Sequence, residues 1–196
     1  MKEKTERQLL LVNAVAENFY KIVPKEFRTY CSLTSRISKS VLLHFDIEAE
    51  LLPCQVWLAT PEQNFVVGFT GKSAAPGKWN GHVVCEAGNF IIDTALCNFT
   101  RDFDLNVPYV AATPRFLVPT QVIARLDLNA QNSLWWHCPP SSSHEIDLNI
   151  PEEPPEIIAK YSTLLIEHIS AMPVANRENM SLDHTQDAAD SSLHKW

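Results

Sequence analysis

The stretch GHVVCEAGNFIID, residues 81–93, decides how this chain is read. His82 to Glu86 and Phe90 to Thr94 are short runs rich in apolar and β-branched residues, and Ala87-Gly88-Asn89 between them has hairpin-turn composition. The stretch therefore predicts two antiparallel strands, with His82 opening the first and Asp93 near the end of the second. These residues are eleven positions apart. Cross-strand pairing brings them close, and their side chains meet on one face if the register allows it.

Working outward, residues 71–81 hold three glycines and a proline among small polar residues, which predicts a loop leading straight into His82. We expect this loop to gate whatever site His82 serves, with Trp79 on its rim. Before it, Phe65 to Phe69 reads as a strand, and Ile47 to Leu58 as another, with Pro53 as an interruption. Further upstream, Leu33, Ile37, Val41, Leu42 and Phe45 form an apolar stripe, so a helix begins near Cys31, with Thr29 as its expected N-cap. Leu9, Val12, Ala16, Phe19 and Tyr20 mark an amphipathic helix over about residues 5–21.

Downstream of the hairpin, β-like pieces occur near Tyr109–Val118 and Ser133–His137, the first made uncertain in length by Pro108 and Pro114. Residues 139–155 contain five prolines and read as a surface connection. A last helix is expected over about 155–170, and the polar residues 174–196 as a disordered tail outside a single domain spanning 1–173. The fold class this pattern predicts is α+β, with helices packed on an antiparallel sheet.

A nucleophilic cysteine works as the thiolate, and the first turn of a helix favours that form through its unpaired N–H groups and dipole. Cys31 is expected in such a turn. Its partner must be a base held in one orientation by a third group, which are the roles open to His82 and Asp93. Cys54, Cys85, Cys97 and Cys138 read as structural thiols.

Cys31 opening an apolar helix, the exit Leu43-His44-Phe45-Asp46-Ile47-Glu48-Ala49-Glu50, then Gly81-His82-Val83-Val84 and Phe90-Ile91-Ile92-Asp93, together resemble the transglutaminase-like cysteine domains. Their relatives, the arylamine N-acetyltransferases, share the order, and both groups belong to the papain-like superfamily. The resemblance spans about residues 27–96. It implies a papain-like, transglutaminase-like fold and a catalytic triad of Cys31, His82 and Asp93. The sequence departs from the pattern in three ways: Arg28-Thr29-Tyr30 precedes Cys31 where a glycine is usual, Asp46 stands for the helix-ending glycine, and residues 24–30 contain no glutamine. An acetyl-CoA cofactor is therefore not implied, and the backbone N–H of Cys31 is the expected oxyanion donor.

Composition sets the outer limits. Hydrophobic residues make up 45% and charged residues 20% of 196, which is globular. The net charge is −7 and no Lys/Arg run stands out, so nucleic acid is not an expected partner. No apolar stretch is long enough to span a membrane. Five cysteines without close pairing suit reduced thiols and predict a cytoplasmic protein. Gly71-Lys72-Ser73 resembles the end of a phosphate-binding loop, but Val66 stands where that loop needs its first glycine. His82, Cys85, His137 and Cys138 lack the paired spacing of a zinc site, and no metal or cofactor is expected.

The function expected from these readings is a cysteine hydrolase or acyltransferase working through an acyl-enzyme on an amide, ester or thioester. Its substrate would be a peptide, protein or small acyl compound. The competing expectation is an inactive papain-like scaffold that binds protein or ligand, since fold does not fix function. A third is an interaction protein engaging partners through its Pro-rich segment and acidic tail.

Overall fold

The computed structural model describes residues 2–70, 79–117, 121–140 and 149–172. Most of the expected 71–81 loop, part of the Pro-rich stretch and the tail lie outside the described residues. So does the expected gating, which rests on the loop.

Four α-helices and seven strands are present among the described residues: α1 (Lys2–Ile22), α2 (Cys31–His44), β1 (Ala49–Ala59), β2 (Asn64–Val67), β3 (His82–Ala87), β4 (Phe90–Asp93), α3 (Cys97–Phe103), β5 (Ala111–Pro114), β6 (Val122–Asp127), β7 (Ser133–His137) and α4 (Pro155–Ala171). The class is α+β. All strand pairs are antiparallel, in the order β5-β4-β3-β1-β7-β6. The two ends of that order come together: Arg115 bridges Ala124, Phe116 N–H donates to Ile123 O at 2.8 Å, and Thr113 Oγ1 donates to Arg125 O at 3.0 Å. The sheet is thus curled into a near-barrel.

β1 organises the curl. Its first half, Ala49–Cys54, pairs with β3, whereas its second half pairs with β2 on one side and β7 on the other. Pro53 sits where the partners change and does not interrupt the strand, contrary to the sequence expectation. A proline costs little there because the ladder is being handed from one neighbour to the next.

Period-two alternation gives the curled sheet two apolar faces. Ala49, Cys85, Ala87, Phe90 and Ile92 face outward against α1, α2 and α4, which contribute Val12, Val15, Phe19, Ile37, Val41, Leu165 and Ile169. Cys54, Val56, Leu58, Val84, Ile91, Leu134 and Trp136 point inward and are closed off by Leu96 and Phe99. The helix layer therefore holds the sheet from outside, and a separate core fills it.

α2 ends in a Schellman turn: Ile47 N–H donates to Leu42 O at 3.0 Å and Asp46 N–H to Leu43 O at 3.1 Å. Asp46 takes the left-handed conformation, φ 60°, that this turn demands and that glycine adopts at least cost. The helix starts without a side-chain cap, so Thr29 does not fill the expected role; Tyr30 is the residue at the cap position. Two elements were not legible in the sequence. α3 is short, has no side-chain cap and ends at Asp104 with φ 56°, and β6 follows residues 118–120, which lie outside the description. β5 is shorter than the expected 109–118, ending at Pro114.

Candidate active site

Cys31, His82 and Asp93 come from three neighbouring elements. Cys31 is the first residue of α2, His82 the first of β3 and Asp93 the last of β4. The hairpin register pairs Cys85 with Ile92, Glu86 with Ile91 and Ala87 with Phe90. Extended to the open end, it sets His82 opposite position 95, so Asp93 is its diagonal neighbour on the same inward face. His82 Nε2 lies 2.8 Å from Asp93 Oδ2. A slip of one residue would have sent the two side chains to opposite faces.

Asp93 is fully buried and accepts two further hydrogen bonds. Trp136 Nε1 donates to the same Oδ2 at 2.8 Å, and the Ala95 N–H donates to Oδ1 at 3.0 Å. Three donors converging on one carboxylate fix its position. Burial alone would depress the pKa of His82, but the Asp93 carboxylate and its hydrogen bond outweigh it, the Cys31 sulfur adds to them, and the ring is pushed up to about 10. With Nε2 on Asp93, His82 Nδ1 is buried and meets no partner at hydrogen-bond geometry among the described residues, while the Cys31 sulfur is near enough to act on the ring. Nδ1 is the nitrogen left for Cys31, whose sulfur also lies 4.0 Å from Gly81 O.

The surroundings hold the ring from behind. Gly68 has φ +80°, and a Cβ placed on it would come within 2.6 Å of His82 Cβ, so only glycine lets the chain pass there. The next residue, Phe69, also has positive φ. Its carbonyl accepts from Gln55 Nε2 at 2.9 Å, and Gln55 Oε1 accepts from Trp57 Nε1 at 2.9 Å. The Phe69 N–H donates to Asn80 O at 2.6 Å, joining the two ends of the segment that enters β3. This non-glycine strain sits beside the candidate base and is held there by a hydrogen-bond chain.

The thiol is covered. Cys31 is 8% exposed and packs with Val83 and Ala95 beneath Trp79, Ile150 and Leu51. The cover from residues 149–153 is anchored to α2: Ser32 Oγ donates to Glu153 Oε1, and Arg36 donates to Pro151 O at 2.9 Å. Trp79 lies across Gly81, where an added Cβ would strike its ring at 2.2 Å.

The remaining cysteines are free thiols. Cys54 is wholly buried opposite His82, and burial raises its pKa well above that of an ordinary thiol. Burial pushes Cys85 up to about 12, and Cys97 up to about 11 while its S–H donates to Arg28 O at 2.7 Å. Among the described residues no group of His, Cys, Asp or Glu is arranged to hold a metal ion. Nor is any described helix long and apolar enough to cross a membrane.

Sequence reading missed Trp136, Gln55 and Gly68. Trp136 had a usable signal, since it alternates with Leu134 on the inward face of β7; what no local pattern could supply was that this face meets Asp93. A scan against protein-family models finds no match to this chain, and searches of curated proteins and of solved structures find none either.

Proposed function

We propose that this protein is a papain-like thiol enzyme that transfers acyl groups from an amide, ester or thioester through Cys31. The observation that carries the reading is the buried His82–Asp93 pair at 2.8 Å beside a cysteine on the first turn of a helix. His82, whose raised pKa keeps its ring protonated, faces the Cys31 sulfur, which attacks as the thiolate. The sulfur then bonds to the substrate carbonyl carbon, and the carbonyl electrons move to oxygen, where the backbone N–H of Cys31 at the uncapped helix start can meet them. Collapse breaks the bond to the leaving group, which takes the proton from His82. Water or an amine next gives its proton to His82 and attacks the acyl-enzyme, and collapse releases the acyl product and restores the thiolate beside the imidazolium. Asp93 holds the imidazolium in orientation throughout.

Five free thiols suit a reducing compartment, and we assign the activity to the cytoplasm. One observation favours a second reading, a binding module on the same scaffold: Cys31 is buried in an apolar cluster against which Trp79 and Ile150 pack.

Reactivity separates the two. Native protein treated with iodoacetamide at pH 6 to 8 and analysed by peptide mass spectrometry should be alkylated at Cys31 ahead of Cys54, Cys85 and Cys97. His82→Ala should slow Cys31 at pH 6 by about tenfold or more, the scale of losing a base that holds the thiol proton. Alkylation of Cys31 no faster than that of Cys54 and unaffected by His82→Ala would leave the binding module as the better reading.

A further inference from the structure

We infer that Arg28 is the substrate-recognising cation of this site and takes a carboxylate carried by the acyl substrate. The inference rests on the thiol-enzyme reading for its substrate class. Six arginines are described, and five donate from their guanidinium groups: Arg7 to Phe45 O, Arg36 to Pro151 O, and Arg101, Arg115 and Arg125 to Asp102, Glu86 and Asp127. Among the described residues Arg28 has no such partner. Its Nε is buried without an acceptor, as is that of Arg36, but Arg36 donates from its Nη2 and Arg28 does not.

Aromatic rings hold the guanidinium in place. Its Cζ lies 3.8 Å from the centre of the Tyr109 ring and 5.4 Å from that of Tyr20. Tyr20 is itself fixed by a hydrogen bond from its hydroxyl to Thr94 O. Stacking of this kind covers a face of the guanidinium and leaves its N–H edge, the planar fork that matches a carboxylate through two parallel hydrogen bonds. With Nε buried, the two Nη atoms form the edge that remains.

This edge is next to the chemistry. Arg28 is three residues before Cys31, so their Cα atoms are no more than about 11 Å apart. The Arg28 carbonyl accepts from Cys97, Tyr20 beneath the guanidinium reaches Thr94 O, and Cys31 packs on Ala95, so the Arg28 backbone, the ring that stacks on its cation and the thiol all meet the short segment that follows Asp93. Tyr30 and Tyr109, 54% and 41% exposed, give the same flank an aromatic surface open to solvent.

Two alkylating reagents of similar size, iodoacetate with a carboxylate and iodoacetamide without one, test the idea before any substrate is known. At pH 7, with the exposed Cys138 as internal reference, the iodoacetate-to-iodoacetamide rate ratio at Cys31 should fall about tenfold in Arg28→Gln, the size of one charge-assisted hydrogen bond. The iodoacetamide rate should change less than about twofold, and Arg28→Lys, which keeps charge but not the fork, should lie between. An unchanged ratio in Arg28→Gln with Cys31 still reactive overturns the role of Arg28 and spares the nucleophile. Should Cys31 react with neither reagent, the thiol-enzyme reading falls, and calorimetric titration with hippurate decides Arg28 by itself. Binding to the native protein that weakens about tenfold in Arg28→Gln upholds it, and absent or equal binding overturns it.

Discussion

Replacing Asp93 by Asn keeps the shape of the side chain and removes only charge and one acceptor, which makes its cost calculable. Three N–H groups point at the two oxygens of Asp93: Ala95 N at Oδ1, with His82 Nε2 and Trp136 Nε1 at Oδ2. An amide has one oxygen. Whichever way it turns, its NH₂ faces at least one buried donor, at a cost of about 1–3 kcal/mol. The second cost depends on pH. In the native protein the His82 pKa is raised from 6.5 to about 10, so the folded state keeps a proton that the unfolded chain loses as pH rises through 6.5. That stabilisation is fully present below pH 6.5 and fades as pH rises towards 10, with a slope approaching about 1.4 kcal/mol per pH unit. In Asp93→Asn the burial of the ring remains without its counter-charge, so His82 is neutral when folded. Urea unfolding followed by tryptophan fluorescence, on both proteins from pH 6 to 10, isolates this behaviour because other titrating groups cancel in the difference. The native advantage should be greatest near pH 6 and shrink to the orphan-donor remainder by pH 10. A stability difference constant across that range would refute the charged His82–Asp93 pair.

Trp136→Phe removes the indole donor and part of a fully buried ring, and thermal unfolding should report a loss of about 2–4 kcal/mol, with Cys31 alkylation slowed less than in Asp93→Asn. Asp46→Gly relieves a left-handed residue at the end of α2 and should raise the unfolding free energy by about 0.5–1 kcal/mol in urea titrations. Ile150→Ala uncovers the thiol, and iodoacetamide should then modify Cys31 roughly three- to tenfold faster, since access limits a buried sulfur.

Local pattern and local chemistry were legible in this sequence, and their long-range closure was not. The stripe from Leu33 to Phe45 foretold α2, and the turn at Gly88-Asn89 foretold the β3–β4 hairpin, because each is decided by residues within a few positions. His82 and Asp93 could be paired on paper for the same reason, a single turn separating them. Trp136 could not, because its hydrogen bond to Asp93 depends on the sheet curling until β7 faces β4 from within. α3 escaped notice because seven residues without a side-chain cap carry little helical signal. Pro53 misled because its cost depends on which neighbours β1 has at that point, and those are set by tertiary structure.

The junctions around Asp93 also set an order of assembly. His82 is eleven residues away along the chain, Trp136 forty-three, and Glu153 stands 121 residues beyond the Ser32 it secures. Closures over such separations are slow, because chain entropy must be lost before the distant groups gain anything from meeting. As the polypeptide emerges from the ribosome, α2 and the 82–93 hairpin are complete while β7 and the 149–153 cover are still unmade. The thiol is then neither screened nor given its fully fixed histidine until the last third of the chain has arrived. Refolding interrupted by brief pulses of iodoacetamide should accordingly find Cys31 among the last thiols to be protected.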